Sequence, residues 1–148
     1  MSPQTSRRDW FHLVLRIIVG VVFVYAAIPK IISPGEFYLN ILGYDLIGGQ
    51  IARIIALWIP WLELLGGLGV IFGVWYLVNL RIVQGLLSGF IILLVVTLFR
   101  GIQTECGCFG SGLGQISWWH LFGNLVLLMV TTFLISWARF QQRADVTA

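Results

Sequence analysis

Residues 54–78 read IIALWIPWLELLGGLGVIFGVWYLV, and Glu63 is the single charged side chain in this stretch. An α-helix rises about 1.5 Å per residue, so about 20 apolar residues are enough to cross the hydrocarbon core of a bilayer. The stretch is long and apolar enough to form a membrane-spanning helix. It predicts a fold that is built from membrane-spanning helices.

The composition of the whole chain supports the same interpretation. Of its 148 residues, 59% are hydrophobic and 10% are charged, whereas soluble domains carry about 25% charged residues. We therefore expect the outer surface to face lipid. The net charge of +3 is spread thinly along the chain, without the basic cluster that nucleic-acid binding requires. Membrane lipid is an expected partner and nucleic acid is not.

Hydropathy predicts four spanning helices, at about residues 11–28, 54–78, 82–99 and 118–137. The expected fold is all-α, an integral membrane four-helix bundle that forms one domain over residues 1–148. A turn at about residues 79–81 would make the second and third helices antiparallel neighbours. Longer connections follow the first and the third helices.

The distribution of Lys and Arg predicts the orientation in the membrane. The side with both termini carries Arg7, Arg8, Arg81, Arg139 and Arg143. The other side carries Lys30, Arg53 and Arg100, offset in part by Glu36, Asp45 and Glu105. Because Lys and Arg favour the cytoplasmic side, we predict a multi-pass protein of the bacterial inner membrane with both termini cytoplasmic. Arg16 interrupts the first apolar run, so we expect that helix to be retained and not cleaved as a signal.

Charged side chains inside the predicted helices should face the interior of the bundle, because an unpaired charge in lipid is costly. Helical spacing puts Arg16, Gly20 and Lys30 on one face of the first helix. On the second helix, Glu63 shares a face with Gly67. Small residues on these faces would allow the two helices to approach closely.

Depth estimates then suggest which polar side chains meet. By helical rise, Arg16 lies about 8 Å from one membrane face and Glu63 about 10–14 Å from the other, with Asn124 of the fourth helix near the depth of Glu63. We predict an intramembrane cluster of Arg16, Glu63 and Asn124, with Lys30 or Arg53 as the rival partner of Glu63. The cluster either fixes helix register or handles a proton or a quinone, and both interpretations stay open.

The two cysteines, Cys106 and Cys108, lie one residue apart in the second long connection. Thiols this close can bond only in a small strained ring, and strain makes a disulfide easy to exchange. In the oxidising periplasm the pair would act by thiol–disulfide exchange, so both are candidate catalytic residues. The alternatives are an inert loop and a metal site with His120, although three ligands fall short of the four in structural zinc sites.

Several of these segments together match a known family. They are the series Arg16, Gly20, Phe23 and Lys30, then Phe37 and Tyr44, then PWLELLGG at 60–67 and CGCFG at 106–110. Over about residues 16–129 the chain resembles the DoxX-like superfamily and, within it, the MauE branch of redox-associated membrane proteins. It departs from that family at Gly123-Asn124, where the family often has Arg-Asp or Arg-Asn.

The resemblance implies a four-helix inner-membrane protein that supports maturation of the disulfide-rich methylamine dehydrogenase small subunit, or one that works with a periplasmic thioredoxin-like protein. It implies functional roles for Cys106 and Cys108, and signature polar positions at Arg16, Lys30 and Glu63. Whether the protein is itself a thiol–disulfide oxidoreductase component stays open. A quinone is the candidate second electron acceptor. The alternatives are a non-catalytic assembly factor and the membrane subunit of a quinone-linked oxidoreductase.

Overall fold

The computed structural model describes the backbone of residues 7–100 and 118–147 and the side chains of residues 10–100 and 119–143. The elements in these ranges are α1 (Arg7–Ile32), α2 (Pro34–Gly43), α3 (Gly49–Phe72), α4 (Tyr76–Arg100) and α5 (Trp118–Thr147). Four of them contain apolar spans of 23 to 25 residues, which is long enough to cross a membrane. The predicted all-α membrane bundle of four spanning helices is confirmed.

The spanning helices run up and down, so the bundle has two distinct ends. We call one the N-terminal end, where α1 begins, α3 turns into α4, and α5 finishes. The other is the α2 end, where α2 lies against α3 and α1 and where α4 finishes. The helix α1 packs most extensively on α3, while α4 contacts both α3 and α5. The largest buried cluster combines side chains of α1, α3, α4 and α5.

The contact between α1 and α3 is made by two glycines. A Cβ atom built on Gly67 would lie 2.8 Å from the carbonyl oxygen of Gly20, and one built on Gly20 would lie 2.8 Å from the carbonyl oxygen of Gly67. No side chain fits between backbones at this distance, so the helices can approach this closely only through glycine. The predicted close approach of the Gly20 and Gly67 faces is confirmed.

The turn between α3 and α4 lies earlier in the chain than predicted, and its placement at residues 79–81 was wrong. The structure ends α3 at Phe72 because Gly73 adopts the left-handed conformation, with a φ of 74°, which glycine adopts without strain. The side chain of Asn79 donates a hydrogen bond of 2.7 Å to the Val74 carbonyl. The polar Asn79 therefore closes the turn from inside α4 and does not form it.

The first connection contains a helix, α2, that hydropathy did not reveal. Pro34 occupies one of its first helical positions, where a missing N–H does no harm. Phe37 and Ile41 lie one turn apart and are buried against Ala52 and Ala56 of α3. This i, i+4 spacing after a proline is the sequence signal that predicts the helix.

The ends of the other helices also extend beyond the predicted bounds. The helix α1 continues past Pro29 to Ile32, because a proline near a helix end removes a single backbone hydrogen bond without ending the helix there. The helix α3 begins at Gly49, five residues before the predicted start. The helix α5 begins where predicted, at Trp118, but runs ten residues further, to Thr147.

The glycine contact yields a test of the packing. We expect Gly67→Ala to lower the free energy of unfolding by about 1–3 kcal/mol, because the new methyl group collides with the Gly20 backbone. Gly85→Ala is the matched control, since a Cβ atom at Gly85 meets nothing within 4 Å. Thermal unfolding of the purified protein in detergent measures both variants. Equal midpoints for the two would contradict the proposed contact.

Candidate functional site

A buried ion pair lies between α1 and α3. The Nζ atom of Lys30 is 2.6 Å from Oε1 and 2.7 Å from Oε2 of Glu63, so the ammonium donates to both carboxylate oxygens. The two side chains are only 2% and 3% exposed. In a medium of low dielectric, a charge is tolerated only with such a partner. The positive charge of Lys30 and the negative charge of Glu63 therefore cancel within the bundle.

The geometry of antiparallel helices explains how these side chains reach each other. From the Gly20–Gly67 contact, Lys30 lies about 15 Å further along α1 and Glu63 about 6 Å back along α3, by helical rise. Side chains lean toward the N-terminus of their own helix. Because α1 and α3 run in opposite directions, the two side chains lean toward each other and close the remaining distance of about 9 Å.

Aromatic rings enclose the ammonium on two sides. The Nζ atom of Lys30 lies 5.2 Å from the ring centroid of Phe37 on α2 and 4.9 Å from that of Phe90 on α4. Both distances are within the range of cation–π attraction. The short helix α2 therefore contributes to the site, because it carries one of the two rings. Four helices together surround a single positive charge.

A small cavity adjoins the ion pair. Its volume is about 40 Å³, and its lining includes Lys30, Glu63, Phe90 and Asn124. A polar cavity of about 10–15 Å³ is sufficient for one water molecule, so this one has room for water beside the carboxylate. Asn124 itself donates a hydrogen bond of 2.8 Å to the carbonyl of His120. The structure therefore brings together two of the three predicted cluster residues, Glu63 and Asn124, with the rival partner Lys30.

The third predicted cluster residue, Arg16, lies elsewhere, and its predicted pairing with Glu63 is wrong. Its Nε atom donates to the Val70 carbonyl at 2.7 Å and its Nη2 atom to the Ile71 carbonyl at 2.6 Å. The last carbonyls of a helix have no partner within that helix. Because α3 ends at Phe72 and not at residue 78, these carbonyls lie at the depth of Arg16. The guanidinium therefore caps the end of α3.

The remaining rival, Arg53, does not reach Glu63 either. It is exposed near the start of α3, ten residues and therefore about 15 Å from Glu63 along the helix axis. Lys30, which had been predicted only as a rival partner, is the true partner. Helical spacing had placed Lys30 on a face of the first helix, but the predicted bounds ended that helix at residue 28, and the depth estimate favoured Arg16 instead.

The ion pair is chemically able to bind and transfer a proton. A proton on Nζ is within hydrogen-bond distance of both carboxylate oxygens, and its transfer would convert the charged pair to a neutral one without changing the total charge. The side chains described here include no group of three His, Cys, Asp or Glu that could hold a metal ion. Cys106 and Cys108 lie outside the described residues, so their predicted role stays a prediction.

Four apolar helices of spanning length around a buried Lys–Glu pair define a small polytopic membrane protein. Comparison with known proteins identifies its family. The chain belongs to the MauE family, whose model, described as "Methylamine utilisation protein MauE", matches residues 8–138. That match includes the first three spans, most of the fourth, and the connection that carries Cys106 and Cys108.

Individual relatives agree with this assignment. Methylamine utilization protein MauE of Paracoccus denitrificans is 32% identical over 115 residues, which are 76% of this chain and 62% of that protein. The protein of the same name from Methylorubrum extorquens is 31% identical over 124 residues, or 83% of this chain and 67% of that protein. The chain thus spans about two thirds of the length of these relatives. No solved structure matches the chain.

The buried pair yields a second prediction. Removing one partner leaves an uncompensated charge, so Lys30→Met and Glu63→Leu should each lower stability by about 3–5 kcal/mol. The double variant removes both charges and should regain most of that loss, because apolar replacement of a whole buried pair is close to neutral. Thermal unfolding in detergent measures all three proteins.

The control for that series is Arg53→Gln, which removes an exposed charge from α3 and should change stability by less than about 0.5 kcal/mol. A double variant that is no more stable than the two single variants would show that the charges do not compensate each other. The pairing described here would then be wrong.

Proposed function

We propose that this protein supports periplasmic thiol–disulfide chemistry from the inner membrane, and that it helps to mature a disulfide-containing protein of the methylamine dehydrogenase system. Cys106 and Cys108 would carry the exchange. The proposal is supported by membership of the MauE family. The structural observation that carries it is the location of Arg100 and Trp118, where the cysteine-bearing connection leaves and re-enters the bundle, at the α2 end.

The charge distribution supports a periplasmic position for that end. Lys30 counted toward the α2 end when the sequence was considered alone, but it is buried in the ion pair and leaves that count. Arg53 and Arg100 remain, and Nη2 of Arg100 lies 3.7 Å from a carboxylate oxygen of Asp45. The N-terminal end keeps its five arginines. By the positive-inside rule the α2 end would face the periplasm.

The proposed exchange is a balanced transfer between one disulfide and two thiols. With the Cys106–Cys108 pair oxidised, a thiolate of the partner attacks one sulfur, which forms a mixed disulfide and releases the other cysteine as a thiol. A second partner thiolate then attacks the mixed disulfide, so the partner gains a disulfide and the pair is left as two thiols. The same steps in reverse reduce the partner. The relative reduction potentials decide the direction.

The partner in this proposal is a periplasmic protein, either a thioredoxin-like exchange protein or the disulfide-containing client itself. A soluble partner would meet the cysteines outside the bundle, because the chain leaves it at Arg100, whereas the ion pair is buried within the bundle. In this proposal Cys106 and Cys108 carry out the exchange, and the membrane helices, with Lys30 and Glu63 between them, support the connection that carries the two cysteines.

A quinone-linked role, which the DoxX-like resemblance implies, is the second candidate, and one observation favours it. An apolar groove of about 380 Å³ opens between α2, α3 and α4, lined in part by Phe37, Ile59, Gly85, Gly89 and Phe90. Phe90 also touches the ammonium of Lys30. A quinone in the groove would lie beside an ion pair that can exchange protons, and it would accept two electrons and two protons from the reduced cysteine pair.

Thiol trapping in intact cells tests the first proposal. A membrane-impermeant alkylating reagent should label Cys106 and Cys108 only after reductant is added, because the pair is expected to be oxidised and periplasmic. Labelling that requires permeabilised cells would place the cysteines on the cytoplasmic side and contradict the proposal. The Cys106→Ser/Cys108→Ser variant, which has no cysteine, is the control for labelling.

The same variant separates exchange from assembly. If the cysteines exchange, Cys106→Ser/Cys108→Ser should abolish correct disulfide formation in the methylamine dehydrogenase small subunit while protein levels stay normal. Full maturation of the small subunit in this variant would instead support the interpretation of the protein as a non-catalytic assembly factor. Loss of activity in Glu63→Gln at normal protein level, with the cysteines intact, would support the quinone-linked role.

A further inference from the structure

A second polar site lies at the N-terminal end of the bundle, far from the ion pair. A cleft of about 740 Å³ opens between α1, the start of α4 and the last turns of α5. Its polar and aromatic lining includes His12, Arg16, Tyr76, Trp137, Gln141 and Gln142. The function proposed above makes no use of this cleft.

Uncharged groups of the protein hold Arg16 in the cleft. Its guanidinium donates to two backbone carbonyls and lies over the ring of Tyr76, with Cζ 5.2 Å from the centroid. No carboxylate among the described side chains contacts it. Carbonyls and a ring orient a cation but carry no net charge. Within the part of the chain whose side chains are described, this cation therefore has no counter-charge, whereas Lys30 is paired with Glu63.

The other groups in the cleft suit an anion. The Tyr76 hydroxyl lies 3.1 Å from Nε2 of His12, beside the guanidinium. Gln141 and Gln142 are exposed on the opposite wall, and their amides can donate hydrogen bonds. The described lining thus combines one fixed positive charge with neutral donors and contains no carboxylate, which suits a phosphate group.

The rim of the cleft indicates that the anion carries apolar chains. Trp75, Val78 and Phe140 are exposed around this end, with Trp75 80% exposed. Indole rings and arginines at a membrane interface contact lipid head groups and the first carbons of the acyl chains. A free phosphate ion would gain nothing from this apolar rim, whereas a phospholipid would use both parts.

We propose that this cleft binds the phosphate group of an anionic phospholipid from the adjoining leaflet, with Arg16 as its counter-charge. Basic pockets between membrane helices are known to hold such head groups. Because both leaflets contain phospholipid, the proposal holds in either orientation of the bundle and does not depend on the cysteines.

Native mass spectrometry of the delipidated full chain in detergent tests the proposal, with phosphatidylglycerol or phosphatidylcholine added. We expect one bound phosphatidylglycerol, with phosphatidylcholine binding at least about tenfold weaker. Arg16→Gln should weaken phosphatidylglycerol by about tenfold or more, through loss of a charged hydrogen-bond donor. Arg53→Gln removes an exposed arginine at the other end and should leave binding unchanged.

Arg16 also caps α3, so Arg16→Gln can fail by unfolding. The variant Gln141→Ala/Gln142→Ala keeps the cap and should weaken phosphatidylglycerol by about threefold or more, with no loss in thermal stability. Equal binding of both lipids, or unchanged phosphatidylglycerol binding in this variant, would overturn the proposal. Displacement of the lipid by millimolar inorganic phosphate would also overturn it, because the site would then recognise the free anion.

Discussion

A charge within the hydrocarbon core of a membrane needs a partner, and the ion pair between Lys30 and Glu63 is the interaction on which the rest of this bundle depends. It forms only because Gly20 and Gly67 let α1 and α3 approach with their backbones nearly touching. Once they are that close, the opposite directions of the helices aim the two side chains at each other. The ion pair therefore depends on the two glycines.

The ion pair also explains why elements that are far apart in the chain meet in one place. Phe37 on α2 and Phe90 on α4 both contact the ammonium. The short helix α2 is therefore held beside the ammonium of Lys30. From α2 the chain continues to Asp45, whose backbone carbonyl accepts a hydrogen bond of 3.1 Å from Arg100. The cysteine-bearing connection begins directly after Arg100. Arg100, the last residue before that connection, is thus tied to the segment that directly follows α2.

The sequence predicted the spans and the glycine faces, because membrane-length hydropathy and helical spacing are strong local signals. It did not predict the turn, because polarity at Asn79 was more conspicuous than a glycine that could adopt a positive φ. The error at the turn then misplaced the end of α3, and with it the partner of Arg16. Lys30 was predicted only as a rival partner of Glu63 because the first helix was expected to end at residue 28. The helix α2 was missed because a ten-residue amphipathic helix is too short to register as a span.

The position of Lys30 in the last turn of α1 also bears on how the protein is inserted during synthesis. The first helix is made before α3, so the lysine enters the membrane region with no carboxylate available. A long side chain near a helix end can keep its charge among the lipid head groups. Arrival of α3 would then supply Glu63, and the two charges would move inward as a neutral unit. The order of the residues along the chain thus favours stepwise insertion, with the first helix adjustable in depth until the second one fixes it.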